Sequence, residues 1–195
     1  MTPPVRLAEE ADADAIAELH ADALGESFLA LLGRDLLRHL YRRIVLSEHA
    51  FAYAATHDAE AVTGFIAVAL STAQLYREFM VHDGLRAAPR AAPAVLRHPL
   101  RVLETFRHGL GSGAHRPGAE ILSLGVAPSA RGEGTGHALV ATALGDLRRR
   151  GVTTAHVVTA SENDAAHRTY LGCGFRRSTT IEVHRGTVQE LLVWR

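Results

Sequence analysis

The sequence predicts a mixed α/β fold: a central sheet of about seven strands flanked by helices, with a helical insertion between the third and fourth strands. Three observations carry this. Short β-rich apolar runs alternate with segments whose apolar residues recur at helical spacing. The last two runs follow one another with no helix between them. A chain of 195 residues that is 47% hydrophobic and 22% charged suits one globular domain over residues 1–195.

Val5 to Leu7 reads as a short first strand, and Glu9 to Leu24 as a helix with Ile16, Leu19, Ala23 and Leu24 on one side, broken at Gly25. A second helix from about Phe28 to Leu46 carries Leu29, Leu32, Leu36, Leu40 and Ile44 inward and sets Arg34, Arg38, Arg42 and Arg43 on a solvated basic face. Ala50 to Ala55 and Val62 to Leu70 read as a hairpin joined through T-H-D-A-E-A. The pattern then changes. Residues 71–118 hold seven arginines against Glu78, Asp83 and Glu104, with a helix from Ala94 to Leu110, and read as an insertion that covers a sheet edge or forms a lid over a substrate. A strand from Glu120 to Val126 follows, then a helix from Gly134 to Arg150 that ends in three arginines and Gly151. Thr153 to Thr159 is the next strand, A-S-E-N-D starts a helix through Leu171, and strands at Phe175 to His184 and Val188 to Trp194 close the chain.

Composition removes several kinds of chemistry. Every one of the 21 Lys+Arg residues is arginine, so Schiff-base catalysis and the lysine-bearing phosphate loop are excluded. Cys173 is the single cysteine, which rules out an intramolecular disulfide and a multi-cysteine zinc site. The 12 histidines lack the spacing that puts two metal ligands on one helix face, so no metal is expected. A formal charge of zero gives no global field for nucleic acid or an acidic membrane. No window reaches the roughly 18 apolar residues of a membrane span, and the N-terminus lacks a leader-like pattern. A cytoplasmic protein is expected, and the arginine and alanine bias suits a GC-rich bacterial genome.

Chemistry concentrates in E-I-L-S-L-G-V-A-P-S-A-R-G-E-G-T-G, Glu120 to Gly136. An apolar strand runs into a glycine-rich turn and then a helix. Such a turn directs several backbone N–H groups to one point, where the helix dipole adds positive charge, so a phosphate can be held without lysine.

The spacing V-x-P-x-x-R-G-x-G-x-G at Val126, Pro128, Arg131, Gly132, Gly134 and Gly136, followed by N-D-A-A-H-R-T-Y-L-G-C-G-F from Asn163 to Phe175, resembles the two signature motifs of the GNAT acyl-CoA-dependent N-acetyltransferases. The resemblance extends over the order of elements in nearly the whole chain, residues 71–118 being longer than the usual connection. It implies a sheet whose fourth and fifth strands splay to admit acetyl-CoA as cosubstrate, with pantetheine along Leu124 and Val126. The pyrophosphate would lie on the backbone of Arg131, Gly132, Glu133, Gly134, Thr135, Gly136 and His137, and Asn163 would contact pantetheine while capping its helix. Gly125 would permit the bulge that ends strand pairing.

Within the same resemblance Tyr170 is the acid that protonates the departing thiolate; it could instead be a core aromatic. Glu120 is the first choice of base for the amine, with Ser123, His156 and Glu162 behind it. The branch that acetylates ribosomal-protein N-termini carries a glutamate five residues before the asparagine, where this chain has Val158, which weakens a peptide acceptor. The leading expectation is therefore acetyl transfer to a primary amine on a small molecule by direct attack. The alternatives are a non-catalytic acyl-CoA-binding sensor or partner subunit, and a protein N-terminal or lysine acetyltransferase. An exposed sheet edge or the insertion helix would support a homodimer.

Overall fold

The computed structural model describes residues 3–24, 33–57, 61–84, 118–184 and 187–195. Seven strands form one sheet in the order β1-β2-β3-β4-β5-β7-β6. They are β1 (Val5–Leu7), β2 (Ala50–His57), β3 (Ala61–Ala69), β4 (Ala119–Val126), β5 (Ala155–Ala160), β6 (Arg176–His184) and β7 (Thr187–Trp194). All neighbours are antiparallel except β4 and β5. The described helices are α1 (Ala13–Ala23), α2 (Arg34–Leu46), α3 (Thr72–His82), α4 (Thr135–Arg149) and α5 (Asp164–Gly172). Among the described residues no helix is long and apolar enough to cross a membrane.

Strand alternation divides the interior into two cores. Phe51, Tyr53, Ile66 and Val68 point to one face, where Leu139, Val140, Ala143, Leu144 and Leu147 of α4 cover them together with Tyr170 and Phe175. Ala50, Ala52, Ala54, Ala67 and Ala69 point to the other, where their small side chains let α1 and α2 bring in Ile16, Leu37, Leu40, Tyr41 and Ile44. The alanine-rich composition is therefore a packing feature of the second core.

Several expectations change in detail. Glu9 to Leu24 is not one uniform helix, because residues Glu10–Asp12 form a 3-10 turn before α1. The Glu9 N–H donates to Asp12 Oδ2 at 2.7 Å, and Arg6 grips both Asp12 oxygens at 2.6 and 2.8 Å. The basic face of α2 is not simply solvated: Arg34 and Arg38 pair with Glu18 of α1, Arg42 with Glu10 at 2.5 Å, and Arg43 with Asp83 at 2.7 Å. The insertion begins with a helix that periodicity did not reveal. Ser71 caps α3 by accepting from the Gln74 N–H at 3.4 Å. The strand expected at Thr153 starts at Ala155. Gly25, the start of the second helix at Phe28, the centre of the β2–β3 connection and the 94–110 helix lie outside the described residues.

The Arg6–Asp12 pair gives one pH prediction. The guanidinium hydrogen bonds hold the Asp12 carboxyl below its ordinary value, outweighing the opposing effect of its burial. A depressed folded value stabilises the native state above the unfolded value near 4, and this contribution is lost as pH falls below it. Urea denaturation should therefore show a smaller stability loss between pH 6 and pH 3 for Asp12→Asn than for the unaltered chain. Identical losses would show that the pair contributes nothing to acid sensitivity.

Candidate active site

The loop that leads from β4 to α4 is built on backbone conformations that favour glycine. Gly132 and Gly134 have φ of 82° and 83°, in the left-handed region, and Gly134 occupies the N-cap of α4. The first intrahelical bond runs from the Ala138 N–H to the Gly134 carbonyl at 2.9 Å, so the N–H groups of Thr135, Gly136 and His137 are the orphan donors of the first turn. Thr135 is buried and its hydroxyl donates to the Ala130 carbonyl at 3.0 Å, which closes the loop from beneath. Gly136 is different: a Cβ there would meet Thr169 Cγ2 at 3.6 Å, ordinary contact between α4 and α5.

A cleft of about 540 Å³ opens in front of this loop, and Leu124, Val126, Arg131, Gly132, Gly134, Thr135, Gly136, His137 and Asn163 all line it. Ala23 and Leu24 line it too, as do Ala166, Arg168 and Thr169 of α5. Glu133 is exposed and does not line the cleft, so only its backbone belongs to the loop. The Arg131 Nε donates to the Val126 carbonyl at 3.2 Å, folding that side chain back along the strand end. Asn163 caps α5 by accepting from the Ala166 N–H at 3.0 Å.

The cleft exists because β4 and β5 separate. They pair only at Ala119 with Ala155 and at Glu120 with His156, after which β5 continues along β7 as far as Ala160. The bulge lies elsewhere than expected. Val68 faces Ile121 and Ala67 faces Ser123, so the extra residue is Leu122, while Gly125 is regularly paired with Phe65. Gly125 is needed for space: a Cβ there would stand 2.4 Å from Cε1 of the fully buried Phe65 ring.

Tyr170 is 3% exposed and packs edge-on to Phe175 with centroids 5.3 Å apart. It follows Thr169, which lines the cleft, but does not line the cleft itself, and its hydroxyl makes no hydrogen bond among the described residues. Burial, and secondly the neighbouring Cys173, push its phenol above the ordinary value, so it is protonated at neutral pH. Burial likewise raises the Cys173 thiol to about 11, which leaves it an un-ionised neighbour of His137 and a poor nucleophile.

Glu120 sits where β4 and β5 part. Its Oε2 accepts from the Thr72 hydroxyl at 2.6 Å and lies 3.9 Å from His156 Nε2. The Tyr76 phenol is pushed up to about 12, by burial first and by the Glu120 charge second. Thr72 and Tyr76 both come from α3, so the first turns of the long 71–118 segment are built against the candidate base. Sequence reasoning missed both. It also missed Tyr41, whose hydroxyl lies 2.8 Å from Ser123 Oγ and 2.6 Å from His20 Nδ1. The available signal was a tyrosine at a core position of an otherwise aliphatic helix stripe, since a buried phenol needs a partner. Glu162, a secondary candidate, is exposed in the turn before α5.

A mycothiol acetyltransferase from Cellulomonas flavigena is 45% identical over 67 residues, covering 34% of this chain and 19% of that protein. One from Thermobispora bispora is 35% identical over 102 residues, covering 52% of this chain and 33% of that protein. The chain thus matches a third or less of the length of these relatives. Among solved structures, a Salmonella typhimurium chain assigned as an acetyltransferase and holding its cofactor acetyl-CoA superposes with a TM-score of 0.64 at 17% identity, covering 100% of this chain and 94% of that one. The ribosomal-protein-S18-alanine N-acetyltransferase from Escherichia coli gives a TM-score of 0.61 at 14% identity, covering 99% and 93%. These two share the fold. The model of the acetyltransferase (GNAT) family matches residues 13–175, and the chain belongs to that family.

Proposed function

We propose that this protein transfers the acetyl group of acetyl-CoA to a primary amine on a small molecule by direct attack. The observation that carries the reading is the separation of β4 and β5 beyond Glu120 and His156 around a cleft that ends on the orphan N–H groups of α4. In this reading the pyrophosphate rests on the loop from Arg131 to His137, and the pantetheine follows Leu124 and Val126 past Asn163. The thioester then reaches the level of Ser123 and Glu120. Glu120 takes the proton from the attacking amine, directly or through water, and the backbone near Leu124 polarises the carbonyl. Tyr170 gives its proton to the departing thiolate. The bond formed is N–C, the bond broken is C–S, and CoA leaves as its thiol.

The small-molecule acceptor is supported by the relatives named mycothiol acetyltransferase and by Val158 at the position where the peptide-acetylating branch carries glutamate. Calorimetry with acetyl-CoA, followed by a CoA-release assay over amines, amino sugars, aminoglycosides and peptides, tests the reading. Binding with turnover of a small amine is the expected result. Failure to bind acetyl-CoA would overturn the reading, and binding with no transfer would favour an acyl-CoA sensor. Glu120→Gln is expected to lower turnover at least about tenfold at neutral pH, with the deficit narrowing as pH rises and the free amine deprotonates unaided. A deficit that does not change with pH would argue against Glu120 as the base.

A further inference from the structure

We infer that Tyr41 is a positioning residue of the transfer centre: through Ser123 it clamps the bulged part of β4 and thereby fixes the strand segment that carries Leu124 and Val126 along the cleft. The link to catalysis rests on the acetyl-transfer reading; the clamp itself does not.

The bulge breaks the alternation of β4. Ile121 packs into the α4-side core, and Leu122 packs against the opposite core. Ser123 should return to the first face, yet its hydroxyl meets Tyr41, which belongs to the second. Two consecutive residues therefore face the second core, and Leu124 resumes the first face. Such a segment can relax by sliding one residue in register unless something holds it. Tyr41, a residue 1% exposed, does so through its hydroxyl, bonded at 2.8 Å to Ser123 Oγ and at 2.6 Å to His20 Nδ1. Three separate elements, α1, α2 and β4, thus meet at one phenol. Phe65 completes the seat, edge-on to Tyr41 with centroids 5.4 Å apart and beneath Gly125.

The chain is suited to holding rather than to moving protons. Burial lowers His20 to about 4 and raises the Tyr41 phenol, so both stay neutral through the working range of an amine acetyltransferase. Removal of the phenolic oxygen leaves Ser123 and His20 to lose a buried partner together.

Two variants, Tyr41→Phe and Ser123→Ala, test this, with amide hydrogen exchange on the ligand-free protein and steady-state kinetics from pH 6 to 9. Exchange at Leu124 to Val126 should quicken about tenfold or more in both variants, while amides of α4 change little. Turnover should fall about tenfold with the KM for acetyl-CoA within about threefold, and the ratio to the unaltered chain should be flat across pH. The double variant should be no worse than either single one. Unchanged exchange at Leu124 to Val126, or exchange quickened equally everywhere, would overturn the clamp whatever the activity. A deficit that varies with pH would replace positioning with proton conduction and overturn it too. Should Tyr41→Phe fail to fold, Ser123→Ala decides alone. If the unaltered chain binds acetyl-CoA but acetylates nothing, the functional reading fails while the exchange result still judges the clamp.

Discussion

Gly118→Ala is expected to cost about 3–4 kcal/mol of stability, the largest effect of any single methyl group added to a described glycine, and to weaken acetyl-CoA binding with it. Two penalties coincide there. The residue has φ of 75°, where a side chain adds about 1–2 kcal/mol of backbone strain, and the new Cβ would stand 1.8 Å from the Thr154 carbonyl oxygen. That oxygen is backbone and already accepts from the Ala119 N–H at 3.0 Å, so it cannot swing aside. The added methyl forces Ala119 away from β5, and Ala119 and Glu120 are the only residues through which β4 pairs with it. For a domain of this size the loss corresponds to roughly 10 °C in Tm. Gly151→Ala supplies the comparison, because Gly151 has φ of 74° with nothing within 4 Å of its added Cβ. It should cost about 1 kcal/mol, the strain alone. Equal Tm losses for the two variants would show that the Thr154 contact does not matter.

The order of elements was legible because periodicity and punctuation agree along most of the chain. Gly134 and Gly151 bracket α4, Asn163 opens α5, and the paired motifs sit on a strand, a turn and a helix. The glycine loop proposed for the donor was legible for the same reason: its form is set by backbone, and backbone conformation is written locally in glycines. The surroundings of the candidate base and of Ser123 are made of side chains from distant segments. Thr72 reaches Glu120 across 48 positions and Tyr41 reaches Ser123 across 82, and no local pattern reports such meetings.

Errors follow the same division. A glycine within a strand suggested a bulge at Gly125, but the decisive neighbour was Phe65 on the adjacent strand, and the bulge fell three residues earlier at Leu122. The helix α3 escaped because its inward positions are only Leu75 and Phe79, too few for a periodic signal, while its cap at Ser71 was visible in principle. The basic face of α2 looked solvated because its partners lie on other elements, Glu18 on α1 and Glu10 in the 3-10 turn before it.

Tyr170→Phe is expected to lower turnover by about a hundredfold or more while leaving the affinity for acetyl-CoA within about twofold. The ring is part of the α4-side core and packs on Phe175, and phenylalanine keeps that ring. The hydroxyl makes no hydrogen bond among the described residues, so its removal strands no partner there and should change stability little. What remains is the chemical step. A thiolate leaving group has a reference pKa near 8.5, close enough to a phenol near 10 for the proton to transfer as the C–S bond breaks. Burial pushes Tyr170 higher still, which keeps the proton in place until thiolate charge develops beside it, and desolvation raises the thiolate in the same direction. The acid form is thus available across the neutral range, and titration of Tyr170 should not produce an alkaline limb near neutrality in the pH profile. Calorimetry for acetyl-CoA beside steady-state turnover separates the possibilities. Equal losses in affinity and turnover would make Tyr170 a structural aromatic, and unchanged turnover would pass the proton-donor role to another group or to water.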